Sequence, residues 1–327
     1  MRTTAPALLL GLLFLAVMLS LAFGARVTGW AELRGALAGH AETMGQAAVA
    51  SRIPRTALAA MAGAALGLAG AVMQGLTRNP LADPGILGVN AGAALAVVLG
   101  LATVGLESVQ AYILVATTGA GVAAVAVWAI ASLGAGGASP LKLALAGAAM
   151  SAALASLTTA VVLPRADIGG LVQSWLVGGV GGATWDRIGP ALPFVAFGLL
   201  LSLLSAQKLN LLALGEESAT SLGETVWRAR AMAALGAVTL CGAATAVCGP
   251  IGFVGLVVPH LARLLFGVDY RLILPASALL GAILMLLADV AGRIVARPAE
   301  LDVGIVTAFV GAPVFIWIVR RRRVAAL

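Results

Sequence analysis

Leu214-Gly-Glu-Glu-Ser-Ala-Thr-Ser-Leu-Gly223 is a short polar stretch in a chain that is oily nearly everywhere else. Glu216 and Glu217 stand beside Ser218, Thr220 and Ser221, with glycine near both ends. In hydrocarbon these polar groups would go unpaired, so the stretch has to lie at a membrane surface. Gly215 and Gly223 act as start and stop signals, and the spacing predicts a short surface helix between them. The apolar remainder is then what this helix moves when another protein pushes on it.

Composition agrees with that reading. The 327 residues are 61% hydrophobic and 10% charged, with a mean hydropathy of +1.07. A soluble domain carries about 25% charged residues, so this is a polytopic membrane protein. Its net charge of +7 comes from lysines and arginines set between apolar runs, where they act as topology signals. Aromatic residues make up 5% and do not interleave with a basic stripe, which sets nucleic-acid binding aside. Forty-one glycines, with frequent alanine, let helix backbones approach closely inside a bilayer. Cys241 and Cys248 lie seven apart on one predicted helix, roughly 10 Å between Cα atoms, which is too far for a disulfide.

Ten apolar spans follow from the chain in order: 5–24, 53–76, 85–105, 112–133, 142–163, 188–206, 226–247, 249–265, 272–288 and 303–319. The first also has the look of a signal peptide, but its length and the spans that follow favour a retained helix. Residues 25–53 read as a long polar loop, after which Pro54 opens the second span. Gly63/Gly67 and Gly88/Gly92 each offer a GxxxG contact face. Thr77 to Pro84 is a turn broken by Asn79, Pro80 and Pro84, and Gly134–Gly137 is another. Residues 164–187, with Trp175 and Trp185, read as interfacial. An even number of spans puts both termini on one side. Twelve Lys or Arg then fall inside against eight outside, so the Arg320–Arg323 cluster carries the assignment of that side to the cytosol. The 214–223 helix faces the cytosol in this topology, and Arg52, Arg55, Arg293 and Arg297 face outward.

Catalytic chemistry is missing from the pattern. Lys142 and Lys208 are the only lysines, and neither follows the glycines of a phosphate-binding loop, so any ATPase must be another subunit. Gly178–Gly182 follows no strand and is a poor nucleotide fingerprint. His40 and His260 stand apart from any Cys, His or acid cluster at metal spacing. Asp289 is the one acid close to a span, and its spacing to Arg293 predicts an i,i+4 ion pair rather than a proton relay.

Five stretches together resemble the permeases of binding-protein-dependent ABC importers for iron–siderophore complexes, haem and cobalamin. They are Arg52-Ile-Pro-Arg55; Gln74 with Arg78 through Gly92; Gly215–Gly223; Gly249 through Arg263; and Ala288-Asp289 through Gly304, followed by Gly311–Phe315. Tyr270 and Asp302 depart from the family pattern. The resemblance implies an all-α polytopic membrane protein of about ten transmembrane helices. It would be one domain over residues 1–327 with the type II ABC importer permease fold and both termini cytosolic. Segment 214–226 would couple it to the ATPase through Gly215, Glu216, Glu217, Ala219, Leu222 and Gly223. Arg52, Arg55 and Arg293 match positions that receive acidic residues of the binding protein, a role suited to a bidentate guanidinium. Gln74, Asn79, Pro80, Asn90, Gly92, Pro259 and His260 match translocation-path or helix-packing motifs.

The implied partners are a second permease subunit, identical or homologous, two cytosolic ATPases that hold ATP and Mg, and a periplasmic or lipid-anchored binding protein. No cofactor belongs to this chain itself. The implied location is the bacterial inner membrane. Runs 83–92 and 296–304 look most like ferric-siderophore members, with cobalamin or haem as the other cargoes. The cargo path is expected between two permeases, lined by small and apolar residues of the second, third and fifth spans. An ion-coupled secondary transporter is the rival of another class, and a membrane enzyme the third.

Overall fold

The computed structural model describes residues 5–85, 88–133 and 139–325. Ile86 and Leu87 of the 83–92 run, the Gly134–Gly137 turn and the side chains of Arg321–Arg323 lie outside that description. The described residues are helical with no strand: α1 (Ala5–Ala22), α2 (Trp30–Leu37), α3 (Met44–Thr77), α4 (Val89–Val104), α5 (Val109–Ser132), α6 (Pro140–Val162), α7 (Ala166–Val177), α8 (Trp185–Ile188), α9 (Leu192–Leu204), α10 (Ala206–Ala213), α11 (Glu216–Ser221), α12 (Val226–Cys248), α13 (Val254–Phe266), α14 (Tyr270–Val295) and α15 (Val303–Ala325). A short 3-10 turn joins α8 to α9.

Among the described residues six units are long and apolar enough to cross a membrane: α3, α5, α6, the continuous α8–α9, α12 and α14. Four shorter apolar helices, α1, α4, α13 and α15, bring the spans to ten, as the sequence predicts. Helices α2, α7, α10 and α11 are the short pieces between them.

Local capping decides where the spans begin, and several boundaries differ from expectation. Thr43 Oγ1 accepts from the Gln46 N–H at 3.2 Å while Gln46 Oε1 accepts from the Thr43 N–H at 3.1 Å. This reciprocal capping box starts α3 at Met44, so Pro54 lies inside the helix instead of opening it. Arg52 and Arg55 are therefore helical residues of a 34-residue span, and the expected loop 25–53 is partly α2 and partly α3. Likewise α14 continues to Val295, which carries Asp289 and Arg293 within a helix rather than in a connection after it. Ser108 and Ser139 cap α5 and α6 through the N–H groups of Ala111 and Lys142.

The bundle is organised around α3. Of the apolar windows of α3 and α12 78% is buried, against 17% for α6, so those two helices lie at the centre and α6 at the periphery. Small residues make that possible. A Cβ on Gly63 would collide with the Gly281 carbonyl oxygen, and one on Gly281 would collide with that of Gly63. Gly67 meets the Ser277 carbonyl and Gly70 meets Gly255 in the same way, so α3 touches α14 and α13 backbone to backbone. The Gly63/Gly67 face is thus the helix contact the sequence predicts. In the second pair only Gly92 packs, against Gly119 of α5, while Gly88 takes φ +78° ahead of α4. Cys241 and Cys248 are buried free thiols.

Gly281→Leu forces a branched side chain into the Gly63 backbone. Overpacking of this kind costs about 1–3 kcal/mol, so thermal denaturation of the purified chain in detergent should show a lowered midpoint. Leu287→Ala, at an exposed position of the same helix, should give a smaller change.

Candidate functional site

Polar residues gather at the two ends of the bundle. At one end the chain leaves α10, turns at Gly215 (φ +106°), forms the six-residue α11 and turns again at Gly223 (φ +85°). Both turns need the left-handed region that glycine tolerates. Ala219 is the buried residue of α11, and its carbonyl accepts from the Glu224 N–H at 2.9 Å. Glu216 Oε1 accepts from Arg230 Nη2 of α12 at 2.6 Å and lies 3.7 Å from Arg78 Nη2 at the end of α3. Arg230 in turn lies over the Trp128 ring of α5, 5.5 Å from its centre. Lys208 of α10 pairs with Glu224 at 2.8 Å. Leu214, Glu217 and Leu222 are exposed. The short helix is therefore tied to the spans on one side and open on the other. Sequence reasoning singled out α11 but missed Arg78, Arg230 and Trp128 as its anchors. Their distance along the chain hides the contact.

At the opposite end four arginines meet two acids. Asp289 has no exposed surface and is held from both sides: Arg55 Nη2 donates to Oδ1 at 2.7 Å, and Arg293 Nη2 lies 2.8 Å from Oδ2. Arg55 also pairs with Glu300 at 2.6 Å. Arg52 Nη1 donates to the carbonyls of Leu21 and Ala22, each at 3.0 Å, and Nη2 to that of Arg26 at 2.7 Å. Arg293 donates to the Ser20 carbonyl and hydroxyl, and Arg297 to the Gly24 carbonyl at 2.6 Å. The last carbonyls of a helix have no partner within it and carry its negative dipole end. Three guanidiniums, from α3 and from α14 with the turn after it, supply both the donors and the charge for the end of α1.

The three arginines matched to binding-protein docking lie together at the end opposite α11, and two of them are buried in the chain's own contacts. Arg52 is 5% exposed and bonded to the end of α1 and the turn after it, while Arg293, 1% exposed, is held by Ser20 and Asp289. Arg55 keeps a partly exposed edge, with Glu300 beside it. The i,i+4 pair of Asp289 with Arg293 forms as the spacing predicts, and Arg55 joins it.

The remaining motif residues shape the junction of α3, α4 and α13. Pro259 lies inside α13 and has no N–H to give the Gly255 carbonyl four residues earlier. Gln74 Nε2 donates to that carbonyl at 3.1 Å, and its Oε1 accepts from Arg263 Nη1 at 2.5 Å. Gln74 and Pro259 are thus one device, an interruption of α13 satisfied from a neighbouring helix. Arg78 adopts φ +49° at the end of α3, after which Asn79 Oδ1 accepts from the Leu81 N–H ahead of α4 and Pro80 continues the turn. Asn90 is buried, with Nδ2 3.4 Å from the Ile251 carbonyl, and Gly92 packs on α5. His260 follows Pro259 half-buried on α13. Among the described residues no group of His, Cys, Asp or Glu is placed to hold a metal ion.

Two cavities flank these clusters. One of about 550 Å³ lies behind α7, with Glu107, Tyr112, Trp175, Arg187 and Asp302 on its wall. Burial pushes the Asp302 carboxyl above the usual range. The other, about 1140 Å³, lies between α3, α5 and α12 beside α11. Its walls come from the second, fourth and seventh spans, with Leu143 of the fifth.

A helical bundle of ten apolar spans with a small polar helix at one end is the architecture of a membrane transport permease. Residues 12–321 match the FecCD transport family, and the chain belongs to it. The ferric enterobactin transport system permease protein FepD of Escherichia coli is 44% identical over 97% of this chain and 95% of its own length. The "Probable siderophore transport system permease protein YfiZ" of Bacillus subtilis is 41% identical over 96% and 94%. A solved structure titled "An inward-facing conformation of a putative metal-chelate type ABC transporter" superposes with a TM-score of 0.80 at 28% identity, covering 96% of this chain and 99% of the other. The fold is that of a type II ABC importer permease.

Asp289→Asn leaves Arg55 and Arg293 without their shared anion. Removing one partner of a buried ion pair costs about 3–5 kcal/mol, so the variant should show a large drop in thermal midpoint. Gln74→Met keeps the volume but strands the Gly255 carbonyl, and about 1–3 kcal/mol is expected. Equal midpoints for either variant and the parent would refute the role given to that residue.

Proposed function

We propose that this chain is the membrane-spanning permease of an ATP-driven, binding-protein-dependent importer of a ferric siderophore in a bacterial inner membrane. The observation that carries the coupling is α11: a short helix anchored to α3 and α12 through Glu216, with Leu214, Glu217 and Leu222 turned outward. That exposed face suits the groove of a cytosolic ATPase. Two such ATPases hold ATP and Mg, and their closure on ATP displaces α11 and with it the ends of the spans. The chain works beside a second permease, identical or homologous, and performs no covalent step itself.

The arginine end is the docking side for the binding protein. Arg55, at the partly exposed edge of the cluster, meets an incoming carboxylate in competition with Glu300. Siderophore as cargo is favoured by the two relatives above, whose names carry it.

Proteoliposomes holding this permease with its ATPase and binding protein should take up ferric siderophore on ATP and ignore a proton gradient. Uptake that persists without an ATPase overturns the importer reading, and preferential uptake of haem or cobalamin overturns the cargo. Glu216→Arg places a third cation between Arg78 and Arg230, and uptake should fall about tenfold, the factor given by about 1.4 kcal/mol of lost coupling, with binding-protein affinity unchanged.

A further inference from the structure

The cavity of about 1140 Å³ beside α11 is not absorbed by the transport reading. Its inner wall is apolar, from Met73, Ala124 and Val238. Its flanks include Val125 and Leu235, which are 70% and 52% exposed, so the cavity opens sideways along α5 and α12 toward the bilayer and not into the bundle. Trp128 and Trp227 stand on its wall, and tryptophan marks the level where hydrocarbon meets headgroups.

Its polar mouth carries two guanidiniums, Arg78 and Arg230, against one carboxylate, Glu216. Arg230 gives Nη2 to Glu216, but its Nε is buried and has no hydrogen-bond partner. A buried donor left in that state calls for an acceptor from outside the chain. Arg78 is half-exposed and its pair with Glu216 is long, at 3.7 Å. Arg228 adds a further cation over the Trp227 ring, 5.5 Å from its centre.

We infer that this cavity is a binding site for an anionic phospholipid of the leaflet on the α11 side. The acyl chains lie in the apolar channel between α5 and α12, and the phosphate oxygens accept from Arg230 Nε and from Arg78. A second copy of this chain would bring the same cationic rim and be repelled, and a zwitterionic lipid would bring its ammonium to the guanidiniums. The inference needs only a membrane-embedded chain and stands apart from the cargo or the source of energy.

The test uses the full chain in phosphatidylcholine nanodiscs doped at equal mole fraction with acyl-brominated phosphatidylglycerol or acyl-brominated phosphatidylcholine. Trp128→Phe/Trp227→Phe identifies the fluorescence that the cavity contributes. Brominated phosphatidylglycerol should bind and quench that component roughly fivefold more effectively, the factor expected of one guanidinium near an anionic headgroup. Arg230→Gln should abolish the preference while quenching by both lipids remains, and Ala234→Phe, which fills the channel, should reduce quenching by both. Equal quenching by the two lipids, or a preference that survives Arg230→Gln, overturns the site. Absence of quenching by either lipid means that protein covers the groove, which overturns it as well. Transport is not read at any point, so this outcome and that of the uptake assay fail independently.

Discussion

Asp289, sealed from solvent, is gripped by Arg55 from α3 and by Arg293 from its own helix, and the packing of three spans hangs on that grip. A lone carboxylate at this depth would be very costly, and so would either arginine. Together they neutralise one another, and the surplus positive charge goes to the carbonyls that end α1. Hydrocarbon offers no water to complete an unfinished hydrogen bond, so the charged groups of this cluster find their partners within the chain. The same rule explains Gln74, which completes the carbonyl that Pro259 leaves open.

These devices make α3 the mechanical axis of the molecule. Its first turns carry Arg52 and Arg55 in the arginine cluster, its middle meets α14 and α13 through glycine, and its end carries Gln74 and Arg78. Arg78 reaches Glu216 of α11, so one long helix runs from the arginine cluster to the polar helix at the other end. Helix α11 is thereby tied to α3 and α12 together. Surface ion pairs such as Arg78–Glu216 contribute little to stability, about 0–1 kcal/mol. Their value here is positional, since they fix where a small helix sits.

The ten spans, the polar helix at Glu216–Ser221 and the glycine face of α3 were legible in the sequence, because hydropathy and small-residue spacing are local properties of the chain. The start of α3 and the end of α14 were not. Pro54 looks like a helix start and Asp289 like a loop residue, but the Thr43–Gln46 capping box and the Arg55–Asp289 pair extend both helices past those marks. The contacts that Arg52 and Arg293 make with the end of α1 were not legible for a related reason. Charge in a sequence shows that a partner is needed, and only folding shows that the partner is the end of α1.

Composition and periodicity by themselves determined a membrane-embedded helical bundle with an external handle and no catalytic apparatus of its own in the pattern. Tertiary structure alone decided which polar groups meet: Arg78 and Arg230, on helices far apart in the chain, are joined by Glu216, and Gln74 and Arg263 are brought together beside Pro259. The reason is physical. Burial of apolar surface is additive along a chain, whereas the pairing of charges and stranded carbonyls depends on which helices become neighbours.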